Sequence, residues 1–294
     1  MQLRFEQLRT QFGETTALDI PALVIETGEF FTFAGPPGSG KSTALNLIVG
    51  EVSPSAGRLM VGGSAPDAMP PGDRGVVRLE RGDVLAPGDH TVVVFDEPLA
   101  GLDTAQQATM VDELTRLHAR LKTTFVCATR DQTAVLRLPG RMAILRTGSI
   151  QQVGTPSDLT ERPRNTFVAS YVGDPPMNVV PGILEKDGVA VEVGARAFQL
   201  NGMVRETFVR DVFLGVRPEH VKVRRNPTGG WQGTVSRVES RGGRTVVEVR
   251  VDVGSFVACD PGAVGCRTGE RVAVQMAAKH LCVFDERGDR LDVV

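Results

Sequence analysis

The first half of the chain alternates between short apolar runs and stretches whose apolar residues recur at helical spacing. Residues 104–121 place Leu114 and Leu117 on one face of a predicted helix. An apolar run that starts at Val92 precedes this helix, and another at 123–128 follows it, and both predict buried strands. A strand, a crossover helix and a second strand predict a doubly wound parallel sheet, so the first half belongs to the α/β class.

Other elements of the first half follow from the same periodicities. A second helix is predicted from Lys41 to Ile48, directly after a glycine-rich segment. A turn at Gly62 and Gly63 ends one further strand. The predicted strands of this part are 3–8, 22–25, 29–34 and 57–63.

The second half of the chain has a different period. Two prolines in the segment 173–178 interrupt the helical stretch 165–172, and short strands separated by Gly and Asp turns follow. Valines alternate with charged residues in 247–253, which is typical of a strand with one buried face. We therefore predict two domains: 1–176 with the parallel sheet, and 177–294 with a small all-β barrel of the oligonucleotide-fold type.

The chain has enough hydrophobic residues for two cores, and its net charge does not favour a strongly charged partner. The 294 residues carry a formal net charge of −2, and 41% of them are hydrophobic. This balance gives no case for nucleic acid or for an anionic membrane. No run approaches the roughly 18 apolar residues of a membrane span, and the N-terminus does not resemble a signal peptide. The four cysteines lack a C-x-x-C pair and the four histidines lack ligand spacing, so we predict reduced thiols and no structural metal.

The glycine-rich segment has the spacing G-x-x-x-x-G-K-[ST]. Glycines in this pattern let backbone N–H groups converge on phosphate oxygens, and the positive end of the following helix adds to the attraction. Lys41 adds a charge at the β/γ end, and the Ser42 hydroxyl is a candidate ligand for Mg²⁺. The segment predicts a nucleoside triphosphate bound by Gly35, Pro36, Pro37, Gly38, Ser39, Gly40, Lys41, Ser42 and Thr43.

Two adjacent carboxylates end the apolar run that starts at Val92. At the end of a buried strand, Asp96 is placed to hold Mg²⁺ through water, and Glu97 is placed to polarise an attacking water. Glu97 is therefore the candidate catalytic base. With the phosphate loop, these carboxylates predict chemistry at the terminal phosphate.

These motifs, in this order, resemble those of ATP-binding-cassette (ABC) ATPases. The resemblance is to subunits of sugar-type importers, maltose or glycerol-phosphate-like, which carry a C-terminal β-barrel regulatory domain. It implies that Phe12 stacks on adenine, that 99–103 contacts the opposite subunit of a dimer, and that the cofactors are ATP and Mg²⁺. It covers nearly the whole chain through 35–43, 95–98, 99–103, 152–156, 161–163, 175–178 and 215–220.

The resemblance also implies partners and a location. Members of this family couple ATP hydrolysis to import through membrane permease subunits, and a separate solute-binding protein selects the solute. The chain is therefore expected in the cytoplasm, peripheral at the inner face of the cell membrane. It is expected there as a homodimer or as a heterodimer with an intact ATPase paralogue.

Three departures from the family pattern bear on hydrolysis. Lys41 and Asp96 are only 55 residues apart, which leaves no room for the family's helical subdomain and its Leu-Ser-Gly-Gly-Gln signature. No glutamine occurs between Thr43 and Thr91, where the family has its γ-phosphate-sensing loop. Arg130 stands at the position of the family's switch histidine, and an arginine stays charged and has a different geometry. We predict slow or no hydrolysis by the isolated chain.

Two alternatives stay open from the sequence. In one, the chain is a degenerate nucleotide-binding subunit that binds ATP without turnover and has a structural or regulatory role. In the other, it is an unrelated P-loop kinase or hydrolase that acts on a substrate hydroxyl, although no substrate lid is recognisable. For Phe12 alone, a place in an ordinary hydrophobic core is as compatible with the sequence as a place under adenine.

Overall fold

The computed structural model describes residues 1–63, 75–79, 91–205, 210–225, 230–241, 243–263 and 265–294. Contacts divide the chain into two compact units, Met1–Arg162 and Pro163–Val294. The division expected at 176/177 lies inside the second unit. No helix in the described ranges is both long enough and apolar enough to cross a membrane.

The first unit alternates strands and helices, as its periodicities predict. In chain order its elements are β1 (Leu3–Phe12), β2 (Thr15–Ile25), β3 (Phe30–Ala34), α1 (Lys41–Val49), β4 (Ala56–Val61), β5 (Val76–Leu79), β6 (Val92–Asp96), α2 (Thr104–Leu121), β7 (Thr124–Thr129), a 3₁₀ turn (Ala134–Leu136), β8 (Arg141–Arg146), β9 (Ser149–Gly154) and α3 (Pro156–Glu161).

These strands form one sheet in the order β4-β1-β2-β9-β8-β3-β7-β6-β5. Neighbours from β8 to β5 pair in parallel, whereas β1 pairs antiparallel with β2 and β4. The predicted unit of strand, crossover helix and strand is confirmed, because β6 and β7 pair in parallel and α2 connects them. Strand β5 was not predicted, and it lies at the edge beside β6.

Helices cover both faces of the parallel strands. On one face, Leu45 of α1 packs with Phe31 and Phe33 of β3. On the other face, Leu114 of α2 packs with Phe30 of β3. Because both faces are covered, β3 and β7 are buried along their whole length, as is typical of parallel sheets. The α/β class with a parallel core is therefore confirmed.

The second unit consists almost entirely of strands. Its elements are α4 (Thr166–Tyr171), β10 (Asn178–Leu184), β11 (Ala190–Val193), β12 (Arg196–Gln199), β13 (Asp211–Val216), β14 (Val221–Arg224), β15 (Trp231–Arg241), β16 (Arg244–Val251), β17 (Gly254–Ala258), β18 (Arg271–Met276), β19 (Leu281–Phe284) and β20 (Arg290–Leu291), with 3₁₀ turns at Pro218–His220, Pro261–Ala263 and Ala278–His280.

Two antiparallel sheets enclose the core of this unit. Their orders are β12-β11-β10-β13-β19-β20 and β14-β18-β15-β16-β17. Val247, Val249 and Val251 of β16 point into the shared core, as the two-residue period predicts. Asn178 bonds to the edge of β17: its amide accepts from Val257 N at 2.7 Å and donates to Val257 O at 2.9 Å. The all-β character expected for this part is confirmed.

Candidate functional site

The phosphate loop joins the carboxyl end of β3 to the first residue of α1. Gly40 has a φ of 99°, and a Cβ there would lie 2.5 Å from the carbonyl oxygen of Ala17. A Cβ on Gly35 would lie 2.4 Å from the carbonyl oxygen of Leu145. Both positions therefore require glycine, because a Cβ would clash with the neighbouring backbone. The absence of a side chain also lets a phosphate approach the backbone of the loop.

The N-terminus of α1 has the features of an anion site. Gly40 caps the helix without a side-chain hydrogen bond, and no acidic residue lies in the first turn. In α2, by contrast, the Asp103 carboxylate accepts from Ala105 N and Gln106 N and so neutralises the same positions. The first turn of α1 therefore keeps its donors and its positive dipole end for a ligand.

Lys41 is folded into the loop. Its side chain is buried, and Nζ donates to Gly35 O at 2.8 Å and to Pro36 O at 2.9 Å. Burial lowers the pKa of Lys41 below its ordinary value, while the nearby Glu97 and Asp96 carboxylates act to raise the pKa. These carboxylates therefore lie close enough to Lys41 to act on its charge.

Arg130 belongs to the same cluster. Its positive charge acts to lower the pKa of Lys41. Four of the residues singled out from the sequence are thus brought together at the carboxyl ends of the parallel strands. They are Lys41, Asp96, Glu97 and Arg130. The arrangement places two cations and two carboxylates at the carboxyl ends of β3, β6 and β7.

Glu97 is held in an unusual conformation at the end of β6. Its φ is 49°, in the left-handed region that non-glycine residues rarely adopt. Its N–H donates to Ala128 O at 2.9 Å, and its Oε2 accepts from Arg130 N at 3.1 Å. Sparsely populated backbone conformations are found at active sites among other places, and Gln7, Lys122 and Thr147 of this chain also have a positive φ. The candidate base is therefore positioned by the neighbouring strand β7.

A residue that the sequence did not single out lies beside Asp96. Arg78 Nη2, from β5, is 3.9 Å from Asp96 Oδ2 and donates to Asn46 Oδ1 at 2.7 Å. Its Nη1 also lies 3.1 Å from Glu51 Oε2. The only signal in the sequence is an arginine within the short apolar run of β5, and its partners are distant along the chain.

The two predicted metal ligands supply a hydroxyl and a carboxylate. Ser42 is exposed in the first turn of α1, and Asp96 is exposed at the end of β6. Magnesium in nucleotide sites commonly takes one or two protein oxygens and completes its shell with phosphates and water. This donor set therefore fits Mg²⁺. In the described ranges there is no group of three or more His, Cys, Asp or Glu side chains that would hold a metal alone.

Phe12 ends β1 and is 55% exposed. It pairs with Thr15 across the β1–β2 hairpin. The exposure excludes the interpretation of Phe12 as an ordinary core residue. Within the described ranges, no hydrogen bond or ring contact joins Phe12 to the phosphate loop, so its place under adenine stays a prediction.

Comparison with protein-family models gives three matches along the chain. The model described as ABC transporter matches residues 18–130. The MalK OB fold domain matches residues 173–221, and the TOBE domain matches residues 214–284. The first match includes the phosphate loop and both carboxylates, and the other two fall in the all-β unit.

Full-length relatives agree with these matches. The chain is 31% identical to an sn-glycerol-3-phosphate import ATP-binding protein of Burkholderia thailandensis over 330 residues, covering 89% of this chain and 91% of the relative. It is 27% identical to the protein of the same description from Escherichia coli K12 over 342 residues, covering 95% and 96%. Both alignments are longer than the 294 residues of the chain, so each relative carries residues with no counterpart here.

A solved structure has a fold similar to that of part of this chain. The ADP conformation of an ATP-binding cassette of an ABC transporter matches with a TM-score of 0.50 and 18% identity. The match covers 57% of this chain and 98% of that one. At this identity the similarity concerns the fold alone.

Proposed function

This chain belongs to the ATP-binding subunits of sugar-type ABC importers, and from that membership we propose that it binds ATP and Mg²⁺ to drive import of a carbohydrate or glycerol-phosphate type solute. The observation that carries the proposal is the position of Lys41. Its ammonium lies within a glycine-rich loop at a free helix N-terminus and within the field of Asp96 and Glu97. Such a loop is suited to the β- and γ-phosphates of a nucleotide.

Each residue of the cluster has a proposed role. Lys41 contacts the β/γ-phosphates, and the backbone of 35–43 surrounds them. Ser42 and Asp96 would hold Mg²⁺, Asp96 through water, and the ion would neutralise charge on the phosphates. Glu97 would accept the proton of the attacking water, and the guanidinium of Arg130 would contact the terminal phosphate. Phe12 would stack on adenine.

Partners follow from family membership as part of the proposal. Importer ATPases of this type act as dimers with membrane permeases and a solute-binding protein. We infer the same assembly for this chain, at the cytoplasmic face of the membrane. The segment 99–103 would face the second ATPase subunit.

A second candidate function is ATP binding without hydrolysis, in a subunit with a regulatory or structural role. Two observations favour it. Arg130 replaces the switch histidine, and the relatives carry residues that this chain lacks. We infer that these residues belong to the short interval between Lys41 and Asp96. Electrostatic catalysis of phosphoryl transfer requires donors already positioned around the phosphate. The missing residues would remove some donors, and Arg130 offers a charged guanidinium of different geometry in place of the histidine.

Measuring ATP binding and turnover together separates these two candidates. Purified chain is tested alone and mixed with an intact paralogous ATPase subunit. ATP binding with turnover by the chain alone, or with turnover in the mixture above that of the paralogue alone, supports the importer ATPase. Binding without such turnover in either sample supports the non-hydrolysing subunit. No ATP binding at all contradicts both.

A further inference from the structure

A cavity of about 560 Å³ opens in the second unit, where β12, at the edge of one sheet, meets β15 and β18 of the other sheet. This volume falls within the range of small-molecule sites in proteins, about 300–1,000 Å³. The cavity is lined by β12 with the preceding Ala195, by Gly230 and Trp231, and by residues 274–276. Its described lining contains no residue of the candidate nucleotide site.

The apolar part of the lining is built around the single tryptophan of the chain. The ring of Trp231 packs against Phe198 and Phe256, with centroids 4.7 and 4.9 Å apart. Phe198 and Met276 are partly buried and pack against the same core as Trp231. Aromatic and apolar side chains form most of the lining of small-molecule sites, and a few polar groups orient the ligand.

Three polar groups of the lining have no partner in the described part of the chain. The indole Nε1 of Trp231 is buried and makes no hydrogen bond there. Arg196 is exposed and Gln275 is half-buried, and neither side chain makes a hydrogen bond or an ion pair within the described ranges. Buried donors in native proteins usually have a partner. The cavity therefore combines a cation, an amide and an unused indole N–H with an aromatic wall.

We propose that this cavity binds a phosphorylated sugar. A guanidinium binds phosphate oxygens through two donors, and Arg196 has these donors available. The Gln275 amide both donates and accepts, which suits sugar hydroxyls. The C–H face of the sugar ring packs on Phe198 and Met276. Phe198 lies on an edge strand against the indole of Trp231, and a small rotation of its ring brings Nε1 within reach of a ligand oxygen. The inference does not depend on the proposed ATP-binding function.

Tryptophan fluorescence tests the proposal on the full chain, because Trp231 is the only tryptophan present. Without nucleotide, the chain is titrated with glucose 6-phosphate, with glucose and with inorganic phosphate. We expect a saturable change in Trp231 emission with glucose 6-phosphate. Glucose and phosphate should each bind at least about tenfold more weakly, since each keeps only part of the contacts. Calorimetry with the same three compounds detects binding that leaves the emission unchanged.

Two variants assign the contacts. Arg196→Met should weaken binding of glucose 6-phosphate by about tenfold or more, and Gln275→Leu by about threefold or more. Both variants should fold, because neither side chain has a partner in the described structure. Arg244→Met is the matched control, since Arg244 is exposed on β16 and does not line the cavity. It should bind like the natural chain.

Two results overturn the proposal. One is the absence of saturable binding of glucose 6-phosphate by both fluorescence and calorimetry. The other is binding that Arg196→Met and Arg244→Met change equally, which would place the phosphate elsewhere, the phosphate loop of the first unit included. ATP binding is measured separately, so a failure of this proposal is distinguishable from a failure of the proposed function.

Discussion

The backbone N–H of Arg130 donates to the carboxylate of Glu97, with 3.1 Å between Arg130 N and Glu97 Oε2. This bond joins the candidate base on β6 to the residue that stands at the switch position after β7. Glu97 also has a left-handed φ of 49°, which costs on the order of 1 kcal/mol or more for a non-glycine residue. The surrounding structure therefore fixes the position of the Glu97 carboxylate.

We predict that Glu97→Gln abolishes the ATP turnover that the chain retains and leaves ATP binding unchanged. Glutamine keeps an acceptor oxygen for Arg130 N–H but is not a base, so turnover should fall by about 100-fold or more. Phosphate release is measured for the chain alone and mixed with an intact paralogue. The control is Glu113→Gln, an exposed position on α2.

The same assay tests the expectation of slow hydrolysis by the isolated chain. Fast turnover that disappears in Glu97→Gln would show that other residues replace the missing signature and the glutamine loop. Turnover by Glu97→Gln alone, or in the mixture above that of the paralogue alone, would show that another group acts as the base.

A second prediction concerns Lys41. Lys41→Ala should weaken ATP binding by at least about 1.5 kcal/mol, because a buried ammonium against the phosphates is lost. The folded state should tolerate the change, since the lysine bonds only within its own loop in the described structure. Binding is measured by calorimetry, with exposed Arg116→Ala as the charge-matched control. Equal affinity in Lys41→Ala and the control would remove the phosphate-loop assignment.

Local signals in the sequence predicted the bounds of α1 and α2 better than those of β1 and β2, and α3, β8 and β9 were not predicted. The bounds predicted for α2 match the structure. Asp103 caps the N-terminus of the helix and Lys122, in a left-handed conformation, caps its C-terminus, so the helix ends where the helical spacing of apolar residues ends. Strands β1 and β2 are longer than predicted, since their hairpin end has exposed polar residues such as Gln11 and Thr16. Strand β5 was missed because it is only four residues long and carries Arg78 in its centre.

In the candidate site, too, features that depend on neighbours in sequence were predicted, and features that depend on contacts between distant segments were not. The phosphate loop and the two carboxylates were predictable because their chemistry depends on neighbours in sequence. The contact of Arg78 with Asp96 depends on the register of two parallel strands, and the bond from Arg130 N to Glu97 depends on where β6 and β7 end. Neither relationship has a signature within a short segment of sequence.

A third prediction concerns where the second folding unit begins. Arg217 is buried, and its guanidinium donates to the carbonyl oxygens of Ala169 and Val172 at the end of α4. Ala169 also packs with Met177 and Phe284. A fragment that starts at residue 177 loses both acceptors and leaves a buried charge without them. It should be less stable than fragment 163–294 by about 3 kcal/mol.

Urea denaturation of the two fragments, followed by circular dichroism, measures the difference. Arg217→Met is informative in both fragments. It should destabilise 163–294, where it removes the two bonds, and should cost less in 177–294, where both carbonyl acceptors are already absent. Equal stability of the two fragments would place the boundary at 176/177.

A stacked histidine pair lies where the chain passes between the two sheets of the second unit. The rings of His220 and His280 are parallel, with centroids 3.6 Å apart. His220 ends the 3₁₀ turn between β13 and β14, and His280 ends the one between β18 and β19. Burial lowers the pKa of His280 below its ordinary value of 6.5, and the charges of His220, Lys279 and Lys222 lower it further.

We predict that this pair makes the second unit less stable as the solution becomes acidic. Because the folded pKa of His280 is lower than the unfolded pKa, the unfolded chain binds the proton more readily. The contribution of neutral His280 to the free energy of unfolding is therefore fully present above pH 6.5. It is lost as the pH falls through the folded pKa of His280.

Fragment 163–294 contains only these two histidines, which makes it suitable for urea denaturation between about pH 7.5 and about pH 5. His280→Gln should flatten the slope of stability against pH in this window, where most carboxylates stay ionised. An unchanged slope in His280→Gln and in the double variant with His220→Gln would assign the acid sensitivity to other groups.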